Sequence, residues 1–169
     1  RGTILDATLF LYEPPVTADS SQTATSDRAA AGEWAAAVTR RARELGVPVA
    51  AGSDAVGAEE EGALPNLHRE LELLVDRAGF SPLEAIAAAT GVSARTLGIE
   101  ETVGTITSGK QADLIVLEAD PSVDIRNTRA IVLVVKRGRV IESRADELEN
   151  GGASEAGNAP APFQVSRAN

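Results

Sequence analysis

The stretch Gly46-Val47-Pro48-Val49-Ala50-Ala51-Gly52-Ser53-Asp54 constrains the fold more than any other part of the chain. A glycine stops whatever precedes it, apolar residues follow at consecutive positions, and a carboxylate comes last. Consecutive rather than alternating apolar positions mark a strand covered on both faces, as in parallel sheets clad by helices. In such folds the residues just past a strand's C-terminal end form the edge where ligands and catalytic groups collect. The stretch therefore predicts an α/β architecture with Asp54 on its functional edge. His68, the chain's single histidine, follows soon after.

The flanking sequence supplies the other elements. Thr3 to Tyr12 alternates and predicts a strand, ended by Pro14-Pro15. Val16 to Thr25 is a polar loop. Ser26 or Asp27 can cap a helix that runs to Leu45, along which Trp34, Val38, Ala42 and Leu45 keep helical spacing, and Gly46 stops it. Ala55 to Leu64 predicts a flexible loop, its Glu59-Glu60-Glu61 a solvated charge run. Pro65-Asn66 opens a helix whose Leu67, Leu71, Leu74, Val75 and Ala78 share one inward arc, with Gly79 at its end. Ser81-Pro82-Leu83-Glu84 is a capping box with proline at the first helical position. That helix is expected to end at Gly91, and a short one to run from Ser93 to Gly98.

The pattern then turns to strands: Val103 to Thr107, Ala112 to Glu118 and Ile131 to Val135, with Gly104, Gly109 and Pro121 at turns. Val134 to Ile141 predicts a hairpin in which Gly138 supplies positive φ. From Arg144 onward Gly, Ala, Ser, Glu and Pro dominate, and a disordered tail is expected. The chain thus divides into residues 1–98, α/β in pattern, residues 99–143, β-rich, and the tail 144–169.

Composition narrows the function. Aromatic residues make up only 3%, so a core must be built from Ala, Val, Leu and Ile. A net charge of −9 argues against nucleic-acid binding, which needs clustered Lys and Arg. No apolar run approaches the roughly 20 residues of a membrane span. There is no methionine, even at position 1, and Arg1-Gly2-Thr3-Ile4-Leu5 reads like the middle of a folded strand, so a piece of a longer polypeptide is expected. No compartment is fixed by the sequence, with the cytoplasm favoured.

Asp54 can ligate a hard or borderline cation or shuttle a proton, and equally can be a turn former. His68 lies in the first turn of its helix, where the N-terminal amides disfavour a protonated ring; it can offer a hydrogen bond or simply cover the core. A zinc site takes roughly three to four protein ligands. One histidine and no cysteine cannot build one alone.

The order of the motifs A-T-L, V-A-A-G-S-D-A, L-H-R-E-L-E-L-L, S-P-L-E-A-I-A-A-A-T, T-L-G-I-E-E-T-V-G-T-I-T-S-G-K-Q-A-D-L-I-V-L and V-K-R-G-R-V-I resembles the C-terminal part of the amidohydrolase superfamily. Its imidazolonepropionase-like and prolidase-like members are the nearest branch, and the resemblance runs from about Thr3 to Ile141. It implies the C-terminal portion of a (β/α)8 TIM-type barrel followed by part of a small β-sandwich. Leu5 to Leu11 would be strand seven and Val47 to Asp54 strand eight. Asp54 matches the strand-eight aspartate, a metal ligand that also moves the proton of the attacking water, and His68 a residue near the substrate.

The resemblance further implies a divalent metal, zinc foremost, as one or two ions. It also implies hydrolysis of a carbon–nitrogen bond in a small amide, N-acyl amino acid or dipeptide. The family's H-x-H pair, strand-four lysine and later histidines have no counterpart here. These residues alone are therefore expected to be inactive. The alternatives are a non-catalytic or split module completed by a partner chain or a second copy, and a truncated product without a role.

Overall fold

The computed structural model describes residues 2–13, 22–54 and 65–143. The Pro14-Pro15 break, the Glu59–Glu61 run and the tail from Arg144 lie outside the described residues. So does the polar loop up to residue 21.

Two short strands, β1 (Leu5–Asp6) and β2 (Val49–Ala50), pair in parallel with Leu5 opposite Val49 and Asp6 opposite Ala50. The crossover between them is α1 (Gln22–Glu44). A β-strand, a helix and a parallel strand make one unit of an α/β fold, as the Val47–Ala51 run predicts. α1 already runs through Ser26 and Asp27, so neither caps it, and it includes four residues expected in a loop, Gln22 to Thr25. Its C-terminal end is as expected. Gly46 takes φ 73, and the Gly46 and Val47 N–H groups return to the carbonyls of Arg43 and Ala42.

The inward face of α1 differs from the spacing read along the sequence. Ala35, Ala36 and Thr39 are buried, whereas Trp34 is 68% and Leu45 62% exposed. Small side chains let the helix lie close to β2, and an indole on that face would hold it away. The core accordingly joins Ala7, Leu9, Ala35, Ala36 and Val49 to Leu71, Leu73, Leu74, Phe80, Ala85 and Ile125.

The first expected strand is cut short. After Asp6 the chain does not continue extended to Tyr12: Thr8 adopts φ 42, and Leu9–Tyr12 form a 3₁₀ turn. Next come α2 (Leu67–Asp76) and α3 (Pro82–Ala87), the latter opened by the predicted capping box. The Ser81 side chain accepts the Glu84 N–H while the Glu84 carboxylate accepts the Ser81 N–H at 2.7 Å.

Gly91 does not end this helix. A π turn over Ala88–Val92 carries it into α4 (Ser93–Leu97), which stops at Gly98 with φ 71. The Ser93 hydroxyl donates to the Ala88 carbonyl at 2.7 Å, a five-residue spacing that matches the widened turn.

Val103 to Thr107 is not a strand. Its chain is turned back by the Val103 N–H bonding to the Ile99 carbonyl, and Gly104 (φ 89) is pressed against Gly91 and Ala94. The remaining β elements form an antiparallel sheet in the order β3 (Leu114–Leu117), β4 (Ile131–Lys136), β5 (Arg139–Ser143). Arg137 and Gly138 both have positive φ between the paired Lys136 and Arg139, the geometry of a two-residue I′ hairpin. A second 3₁₀ turn, Ile125–Arg129, has no counterpart in the sequence reading. It packs on α2 and so ties the β-rich region to the helices. Among the described residues no helix is long and apolar enough to cross a membrane.

Candidate functional site

The parallel register brings the C-terminal ends of β1 and β2 to one edge. Asp6 ends β1 there, and Gly52 follows β2. A Cβ on Gly52 would stand 2.5 Å from Asp6 Oδ1, so the glycine is what gives the Asp6 carboxylate room. Two residues on, Asp54 is exposed and holds φ 45, a left-handed conformation that aspartate tolerates better than most residues. The strand end is fixed from behind, since the Ala51 N–H donates to the Ala88 carbonyl at the start of the π turn.

His68 is buried on α2, and its Nδ1 lies 3.1 Å from the Thr128 hydroxyl. That hydroxyl donates its only proton to the Ile125 carbonyl at 2.8 Å. Nδ1 must therefore be the donor toward Thr128, which leaves the lone pair of the neutral ring on Nε2. Burial lowers the His68 pKa, the Arg129 guanidinium lowers it further, and Glu72 opposes both. The ring is thus kept neutral at physiological pH. Among the described residues no group of three or more His, Asp or Glu is placed to hold a metal.

Two groups that the sequence reading did not single out stand out here. Asp6 was absorbed into the expected strand. Glu70 is fully buried, and its Oε2 accepts the Phe10 N–H at 2.6 Å while Oε1 has no hydrogen-bond partner. Burial pushes its pKa up to about 7, against the backbone N–H groups of Leu9 and Phe10 and with help from the Asp6 charge. The signal was present in the sequence: Glu70 falls between Leu67 and Leu74 on the arc that packs inward.

Around it runs a chain of ion pairs. Arg69 meets Glu13 at 2.8 Å and Glu72 at 2.9 Å, and Glu72 also meets Arg129 at 2.6 Å. Burial alone would raise the Glu72 pKa, but the hydrogen bonds from Arg129 and Arg69 outweigh it and lower the value.

Residues 16–141 match the family described as the Amidohydrolase family. The chain belongs to that family. An imidazolonepropionase from Symbiobacterium thermophilum is 38% identical over 106 residues, covering 60% of this chain and 24% of the relative. An ochratoxinase from Aspergillus niger is 36% identical over 77 residues, 43% of this chain and 16% of that protein. The chain thus spans a quarter or less of the length of these relatives. Among solved structures, a Xaa-Pro dipeptidase with bound methionine aligns with TM-score 0.62 at 31% identity, over 73% of this chain and 29% of the other. The A. niger ochratoxinase structure aligns with TM-score 0.68 at 28% identity, over 83% and 32%.

Proposed function

We propose that this chain is the C-terminal part of a metal-dependent amidohydrolase that cleaves a carbon–nitrogen bond in a small amide, N-acyl amino acid or dipeptide. In this reading residues 1–98 belong to a (β/α)8 barrel, with β1 and β2 as its seventh and eighth strands. Residues 99–143 belong to a composite β-sandwich. The observation that carries it is the parallel register of β1 and β2, in which Asp6 ends β1 opposite Ala50 and Asp54 follows β2 in sequence on the C-terminal side. Relatives named as an imidazolonepropionase, an ochratoxinase and a Xaa-Pro dipeptidase support the bond type.

The reading calls for a divalent metal, zinc foremost, whose chemistry would be the activation of water. The described residues do not fit such an ion by themselves, because Asp54 is a single ligand where about three are needed. What Asp54 itself offers is an exposed carboxylate at the strand edge, able to ligate and to accept and return a proton. His68, neutral and with Nε2 as an acceptor, is the substrate-binding residue of this proposal.

The test is amide hydrolysis by the longer enzyme encoded with these residues in frame. Asp54→Asn should lower kcat by about 100-fold or more with the far-UV spectrum unchanged. An unchanged rate removes Asp54 from the mechanism.

A second reading is favoured by one observation. Among the described residues β1 and β2 pair only with each other, so this sheet has no further strand at either edge. A complementing chain that supplies the missing histidines, or a second copy, would cover those edges. Activity that appears only on mixing with a histidine-bearing partner chain would select this reading over the first.

A further inference from the structure

We infer that Glu70 is a positioning residue: from inside the core it takes the place of a cap on the 3₁₀ turn Leu9–Tyr12 and so fixes the segment that leaves β1 at the site edge. A turn of this kind begins with N–H groups that have no partner within it. The residue placed to cap them, Thr8, makes no side-chain hydrogen bond to them. Instead the Phe10 N–H donates to Glu70 Oε2, contributed by a helix sixty residues away in sequence.

The opposite end of the turn is held separately. The Arg28 guanidinium donates to the Leu11 and Glu13 carbonyls, and Arg69, the neighbour of Glu70, pairs with the Glu13 side chain. Among the described residues, Glu70 alone serves the donor end. This also accounts for the early stop of β1. A strand continuing through Tyr12 would need a ladder partner for the Phe10 N–H, and the buried carboxylate claims that donor.

The charges near Glu70 are few. Asp6 acts on it from β1. On its own helix Arg69 and Glu72 are turned to Glu13 and Arg129, and His68 to Thr128. From the turn itself come only backbone N–H groups. Opening the turn would hydrate the carboxyl and let it ionise more easily, so rising pH favours opening. That the turn forms one wall of the catalytic mouth rests on the amidohydrolase reading above; the clamp itself does not.

Amide hydrogen exchange in the whole chain, resolved at Leu9 and Phe10, tests the clamp. Glu70→Ala should speed exchange at both by about tenfold or more, the cost of losing one acceptor of a buried donor. Val134 and Val135 in the β-sheet should not change. Glu70→Gln, which keeps an acceptor oxygen, should restore most of the protection. Protection at Phe10 should fall from pH 5 to 8 in the wild type and stay level in Glu70→Gln. Unaltered exchange in Glu70→Ala, or Gln exchanging as fast as Ala, would overturn the inference. Should the Ala variant not fold, the pH profiles decide: parallel slopes in wild type and Gln refute the clamp. Exchange needs no catalysis, so an intact clamp in an enzyme that fails to cleave amides rejects only the proposed function. A failed clamp in an active enzyme rejects only this inference.

Discussion

Gly104 and Gly109 offer a matched pair in which backbone strain and steric contact can be separated. Both sit in the left-handed region, at φ 89 and φ 91. A Cβ on Gly109 would meet nothing within 4 Å. On Gly104 it would stand 2.6 Å from the Ala94 Cβ, 3.1 Å from the Thr90 carbonyl and 3.3 Å from the Gly91 Cα. None of these is the free end of a flexible side chain, so relief requires the segment to lift off the π turn.

For Gly109→Ala the cost is the positive φ, about 1–2 kcal/mol, reduced by up to about 1 kcal/mol because alanine also restricts the unfolded chain. Gly104→Ala carries the same terms plus overpacking of about 1–3 kcal/mol. The expected outcome is a loss of about 1 kcal/mol for Gly109→Ala and about 2–4 kcal/mol for Gly104→Ala. Urea unfolding followed by far-UV circular dichroism measures both. Equal losses would show that the contact between Gly104 and the Ala88–Val92 turn contributes nothing, and would refute the account of why Val103 to Thr107 is not a strand.

Glu70 should impose a pH dependence on the stability of the whole chain. Its folded pKa, about 7, stands above the ordinary 4.5, so its contribution is fully present below about pH 4.5 and is lost as pH rises through 7. The shift corresponds to about 3 kcal/mol in all, and wild type should lose about 2–3 kcal/mol relative to Glu70→Gln between pH 5 and 8. His68 titrates in both proteins and cancels in the difference. Glu84, held at about 2 by the Arg43 guanidinium, and Asp113, held at about 2 by Lys136, titrate below that window. Parallel urea midpoints across the range would reject a protonated Glu70. Ser81→Ala should cost about 1 kcal/mol by removing the capping box at α3, and Ser81→Thr should recover most of it, read from the same unfolding curves.

The parts of the fold legible in the sequence are those dictated by local chemistry. Ser81-Pro82-Leu83-Glu84 caps its own helix, Gly46 and Gly98 end theirs, and Arg137-Gly138 closes a hairpin, because each device lies within a few residues of what it controls. The misread elements were decided at a distance. Thr3 to Tyr12 alternates like a strand, yet the turn after Asp6 depends on a carboxyl from α2. Gly91 looks like a helix end because glycine so often is one, but a π turn carries the helix through it, and Gly104 from another segment packs against that turn. Trp34 and Leu45 keep helical spacing without facing inward, because alanines elsewhere on α1 allow closer packing.

The same division governs the candidate site. Asp54 was visible because its strand announces itself through consecutive apolar residues. Glu70 stood in plain view on the buried arc of α2, but an acidic residue among leucines reads as noise unless one asks what donor it faces. A fully buried carboxyl is costly enough that the fold must supply a reason for it. Here the reason lies at the edge where Asp54 emerges: the 3₁₀ turn that follows β1 carries the Phe10 N–H, which neither a ladder partner nor the Thr8 side chain satisfies. The buried acid in the L-H-R-E-L-E segment and the exposed acid after β2 thus serve one edge, the first by fixing its backbone and the second, in the proposed reaction, by meeting the chemistry.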